Sequence, residues 1–163
     1  MCNLYRLTKG TDEVAKLFGA TLSSTGNFAS EVYPGYPGLV VSAGELRSMV
    51  WGFPLALKSK KTGLPLKPKP VNNARADKLD SFMWRYSFAE RRCLIPVSKF
   101  AEAEGATGSK ARTWFSLPDQ DVFAVAGIWR ETDEWGAAYS MVMTQACEHV
   151  ADVHDRMPVV LPP

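Results

Sequence analysis

Histidine is almost missing from this chain: 163 residues contain two, His149 and His154. They are five apart, the wrong interval for two ligands on one helical face. Cysteine is scarce too, and Cys2, Cys93 and Cys147 form no CxxC pair. Neither a disulfide framework nor a thiolate zinc site organises such a sequence, and no metal or other cofactor is expected. No apolar run approaches the roughly 20 residues of a membrane span, and the N-terminus lacks the basic and apolar blocks of a secretory signal. The expectation is a cytoplasmic protein with no membrane partner. Repeats and low-complexity tracts are also absent. What remains, at 46% hydrophobic and 22% charged residues, is an ordinary folded composition, long enough for one domain with a substantial core.

Charge is unevenly placed. The net charge is only +2, yet residues 47–112 hold fourteen lysines and arginines against five acids, while residues 113–163 hold two against eight. A basic middle third fits a polyanion lying across one face, and it equally fits charge blocks that mix once the chain folds.

Along the chain, residues 2–8 read as extended. Residues 12–18 read as a short helix opened by Thr11 as N-cap, with Val14, Leu17 and Phe18 on one side. Residues 23–38, rich in Ser, Gly and Pro, read as a surface loop. Residues 39–42 and 46–51 form a hairpin turning at Ala43-Gly44. Residues 58–70 carry five lysines, three prolines and a glycine, which excludes a regular helix or central strand and predicts a mobile basic loop. A helix is expected over 78–86. Residues 91–97, 113–117, 122–130 and 138–144 read as strands with apolar residues on both alternations, hence covered on both faces. Hairpin-like spacings then predict one α+β domain over 1–163, a mainly antiparallel β core with a few surrounding helices.

Four polar clusters flank these strands. Cys2 follows the initiator Met, and ordinary processing would leave a 1,2-aminothiol. Its amine and thiol have reference pKa values of about 8 and 8.5, so without burial both nucleophiles are populated near neutrality. Such a pair captures aldehydes, the amine forming a Schiff base and the thiolate closing a thiazolidine. Glu102 follows the apolar strand 91–97, where it is either a solvated edge carboxylate or a pocket acid with a raised pKa. His154 beside the apolar stretch 157–161 suits a structural hydrogen bond or proton transfer. Arg75 has the fork to hold a phosphate and Asn73 the amide to fix a nucleophile, although Asn72-Asn73 equally suits a turn.

Met1-Cys2-Asn3, Asn73-Ala74-Arg75, Arg92-Cys93-Leu94-Ile95-Pro96 with Phe100-x-Glu102, and His154-Asp155-Arg156-Met157-Pro158-Val159 together resemble the SRAP family, the SOS-response-associated peptidase proteins, over residues 2 to about 161. The resemblance implies a barrel-like SRAP fold and covalent capture of abasic sites in single-stranded DNA by processed Cys2. It implies that Asn73 orients the cysteine amine, Glu102 acts as acid and base, His154 assists proton transfer and Arg75 contacts the flanking phosphate. Arg156 in the histidine motif, with Lys58, Lys60, Lys61, Lys67 and Lys69, completes the expected DNA-binding set. A monomer is expected, of bacterial type and nucleoid-associated when bound to DNA. The chain departs from the family's frequent Met-Cys-Gly-Arg start. It has Leu55-Ala56-Leu57 and the lysine segment where studied members carry paired tryptophans that wedge bases apart. It stops at Pro162-Pro163, where members usually continue, so a naturally short or truncated form is expected. Two further readings compete. One is a cysteine peptidase or amidohydrolase using Cys2 as N-terminal nucleophile and His154 as base, including self-removal of Met1. The other is a non-covalent basic nucleic-acid-binding domain.

Overall fold

The computed structural model describes residues 1–23 and 26–162; Ser24 and Thr25 of the expected loop 23–38, and the terminal Pro163, lie outside the described residues. In chain order the elements are β1 (Leu4–Arg6), α1 (Thr11–Leu17), β2 (Thr21–Leu22), β3 (Glu31–Val32), β4 (Pro37–Ser42), β5 (Glu45–Trp51), β6 (Phe53–Lys58), β7 (Pro65–Val71), β8 (Asn73–Arg75), a 3-10 turn (Ala76–Lys78), α2 (Arg85–Glu90), β9 (Arg92–Val97), β10 (Lys99–Glu104), β11 (Ala111–Phe115), β12 (Phe123–Thr132), β13 (Gly136–Gln145), α3 (Glu148–Ala151) and β14 (Arg156–Pro158). Strands β5, β4, β9, β12 and β13 pair in that order, and a parallel pairing of β13 with β5 closes them into a barrel. A second sheet runs β11-β10-β1-β3, all antiparallel.

Period-two alternation explains why the barrel strands look apolar on both sides. In β4, Val40 enters the barrel core while Leu39 and Val41 join an outer cluster with Val14 and Ala15 of α1. In β13, Tyr139, Met141 and Met143 face inward, whereas Ala138 and Val142 pack outside against Phe53, Leu79 and Trp84. Both faces of these strands are thus covered by apolar clusters, at a gain of roughly 25 cal/mol per Å² buried. The β4–β5 turn has positive φ at both Ala43 (50°) and Gly44 (76°), the backbone a two-residue hairpin requires.

Several expectations are corrected. The N-cap of α1 is Gly10 rather than Thr11, and Leu17 is exposed. The helix expected over 78–86 is a 3-10 turn, further turns and then α2. The expected loop 58–70 shrinks to a turn over residues 59–64, because β6 and β7 on either side of it pair as a two-stranded antiparallel ribbon. Both strands of such a ribbon are edges, and at an edge a proline need not donate to a neighbour. Residues 99–104 form strand β10, which places Glu102 within a strand instead of after one.

Candidate active site around the N-terminus

Strand β1 carries the N-terminus to the barrel mouth and is locked there by Tyr5. The Tyr5 and Tyr139 hydroxyls share a buried hydrogen bond of 2.6 Å, and Tyr5 meets Trp51 edge to face at 5.1 Å. Only a glycine fits at position 38, because a Cβ there would collide with both tyrosine hydroxyls. Trp51 in turn donates from Nε1 to the Asn72 carbonyl at 3.0 Å. The aromatic set therefore fixes β1 and the entry to β8 relative to each other. Cys2 sits between them and is fully buried.

Both asparagines converge on Cys2. Asn72 and Asn73 donate from Nδ2 to the Cys2 carbonyl, at 2.9 and 2.8 Å. Asn73 thus touches the cysteine carbonyl and not its nitrogen, which is engaged in the peptide bond to Met1. Asn72 is a contributor that reading the sequence passed over as a turn residue; the adjacent amides entering a strand were the available signal. Asn73 Oδ1 and Glu102 Oε1 are buried without a hydrogen-bond partner. Buried acceptors left unsatisfied in this way cost about 1–3 kcal/mol each.

Glu102 and His154 meet at the terminal amine. The Met1 amine lies 2.7 Å from His154 Nε2 and 3.5 Å from Glu102 Oε2. Glu102 is 1% exposed. Burial pushes its carboxyl above the ordinary value, while the Met1 amine and His154 pull it part of the way back. His154 Nδ1 accepts from the Arg156 backbone N–H at 3.0 Å, leaving Nε2 to face the amine. The Cys2 thiol behaves differently from the unburied cysteine expected from sequence. Desolvation first, then the Glu102 charge, push it up to about 12, so it is a thiol and not a thiolate near neutrality.

Arg75 and Arg156 flank the end of β13, where Met143 pairs with Arg75 on one side and Pro158 on the other. Asp77 bridges them: Arg75 donates to it from Nη2 at 2.7 Å and Nε at 3.0 Å, and an Arg156 nitrogen lies 3.6 Å away. Lys58, Lys60, Lys61, Lys67 and Lys69 sit on the β6–β7 ribbon and its turn, all exposed. Structure therefore joins Cys2, Asn73, Glu102 and His154 in one place, and among the described residues no ribbon lysine forms an ion pair with that group. Among the described residues, no three His, Cys, Asp or Glu side chains cluster as metal ligands do.

The sequence matches the family model for SOS response associated peptidase (SRAP) over residues 1–163. The chain belongs to the SRAP family. It is 31% identical over 127 residues to the abasic site processing protein YoqW of Bacillus subtilis (strain 168), covering 74% of this chain and 54% of YoqW. Against the abasic site processing protein YobE of the same organism it is 30% identical, covering 74% and 56%. The matched stretch spans about half the length of these relatives. A crystal structure of a Bordetella bronchiseptica protein shares the SRAP-domain fold at a TM-score of 0.80 with 23% identity, over 99% of this chain and 84% of that one. One from Bacteroides thetaiotaomicron gives 0.79 with 19% identity, over 99% and 77%.

Proposed function

We propose that this SRAP domain, after loss of Met1, acts in DNA repair by crosslinking to abasic sites in single-stranded DNA through Cys2. The observation that carries this is the meeting of Glu102 and His154 at the N-terminal amine, directly over buried Cys2. An abasic deoxyribose in its open form is an aldehyde on a polyanion, and the names of the Bacillus relatives support that substrate.

The order of steps follows from the protonation states. Glu102, with its raised pKa, takes the proton of the sugar hydroxyl and returns one to the ring oxygen as the sugar opens. The freed Cys2 amine adds to the aldehyde carbon, and loss of water gives the imine. The thiol, which burial keeps protonated in the Met1-bearing chain, adds second, its sulfur bonding to the imine carbon while its proton passes to the nitrogen, with Glu102 or His154 as relay. The product is a thiazolidine plus one water. Asn73 Oδ1 and Glu102 Oε1, unpartnered while Met1 is attached, are suited to accept from the ammonium that processing creates. Arg75 and Arg156 hold a flanking phosphate, and the lysine ribbon adds sequence-independent attraction.

Incubation of Met1-processed protein with an abasic oligonucleotide produces one heat-stable shifted band on a denaturing gel, absent with Cys2→Ala. No shift with fully processed protein rejects the proposal. A peptidase reading has one observation in its favour: the same carboxylate and imidazole flank the Met1–Cys2 peptide. Self-removal of Met1 predicts that Glu102→Gln retains Met1 in its intact mass, and a general peptidase predicts multiple turnovers on added peptides.

A further inference from the structure

A cleft of about 310 Å³ opens beside Glu102, lined by Met1, Leu4, Tyr33, Glu102, Ala103 and Arg112. Strand β11 lies on the side of β10 away from β1, with Arg112 paired to Ala103 and Thr113 to Glu102. Arg112 is therefore one strand further out from Cys2 than the carboxylate. It is exposed, its guanidinium is 5.9 Å from the Tyr33 ring centroid, and among the described residues no acid forms an ion pair with it. Glu31, whose carboxyl feels the Arg112 charge, is engaged by Arg6 and by the Tyr33 hydroxyl. The cleft thus runs from Met1 at the N-terminus to a guanidinium that no acid holds in an ion pair among the described residues.

We infer that Arg112 binds the second phosphate flanking the reacting sugar, on the far side of Cys2 from Arg75 and Arg156. This rests on the abasic-site reading. A sugar within a strand carries a phosphate on each side, and the two arginines at the end of β13 serve only one of them. Loss of Met1 removes part of the cleft wall and widens the opening between the new N-terminus and Arg112. The Tyr33 ring beneath the guanidinium restrains it by a cation–π contact, so less side-chain freedom is lost when an anion binds.

Binding is measured by fluorescence anisotropy with Met1-processed protein and a single-stranded oligonucleotide carrying tetrahydrofuran, which lacks the aldehyde. The 5′ or the 3′ flanking phosphate is replaced in turn by a neutral methylphosphonate. Wild-type protein loses affinity with either replacement. Arg112→Ala becomes insensitive to one of them and keeps its response to the other, while Arg75→Ala shows the reverse pattern. Arg112→Ala also lowers the slope of log affinity against log salt by about 0.7, and Arg112→Lys keeps that slope because the charge remains. An Arg112→Ala protein that responds to both replacements like wild type overturns the inference, as does a wild type indifferent to both. The abasic-site reading fails separately, if aldehyde-bearing DNA gives no covalent adduct with wild-type protein.

Discussion

The Cys2 centre and the β6–β7 ribbon are both polar regions, but they are built in opposite ways. Around Cys2 the polar side chains are anchored within the fold: two amides on one carbonyl, an imidazole oriented by the Arg156 backbone, and a carboxylate 1% exposed. On the ribbon, Lys58, Lys60, Lys61, Lys67 and Lys69 are all exposed and none forms an ion pair among the described residues. Preorganised groups aim at one developing charge and their removal is felt in the chemistry. Solvated cations act additively through counterion release and are felt in affinity and salt dependence.

The largest separation between the two regions comes from Cys2→Ser. It keeps the amine and removes the sulfur, so the heat-stable adduct disappears while an imine trapped by borohydride persists; equal loss of both would mean that the amine is not the first nucleophile. Next, Glu102→Gln slows adduct formation by about 10²–10⁴-fold with DNA affinity nearly unchanged. Stopped reactions on a gel and anisotropy on tetrahydrofuran DNA separate the two quantities. The same substitution has a pH signature. A buried carboxyl whose pKa is raised binds its proton more tightly folded than unfolded. Wild-type stability therefore falls as pH rises from the ordinary carboxylate value towards the raised one, and melting temperatures of Glu102→Gln lack that component.

Legibility followed the same division. The hairpin at Ala43-Gly44 and the three further barrel strands β9, β12 and β13 were readable because apolar runs and turn residues are local signals. Strand β10 was not, since Lys-Phe-Ala-Glu-Ala-Glu alternates charge with small residues and only tertiary burial makes Glu102 an interior residue. The prolines of 58–70 hid the ribbon, because their penalty applies to central strands and this one is all edge. Met1-Cys2, Asn73, Glu102 and His154 could be named from the motifs they form together. Their meeting depends on barrel closure and on β1 crossing the mouth, which no local pattern encodes. The same is true of Asn72 and Arg112. Burial also reversed one chemical expectation, that of a thiol partly ionised at neutral pH.

Smaller effects sharpen the contrast. Asn73→Ala removes one of the two hydrogen bonds to the Cys2 carbonyl and destabilises the domain by about 1 kcal/mol. It slows adduct formation less than Glu102→Gln, because Asn72 still holds the carbonyl. Thermal melts and single-turnover rates read the two parts. Smallest is the doubly substituted ribbon, Lys60→Ala with Lys61→Ala. The salt slope of DNA affinity falls by at most about 1.4, and the adduct rate at saturating DNA is unchanged. A rate loss at saturation would place the ribbon lysines in the chemistry.

The most direct test of the aminothiol account is the intact mass of the covalent product. Protein incubated with an abasic oligonucleotide is predicted to give a species equal to the chain without Met1 plus the oligonucleotide less one water, with the new bonds mapping to Cys2. A stable adduct that retains Met1, or one that maps to a ribbon lysine, would contradict it.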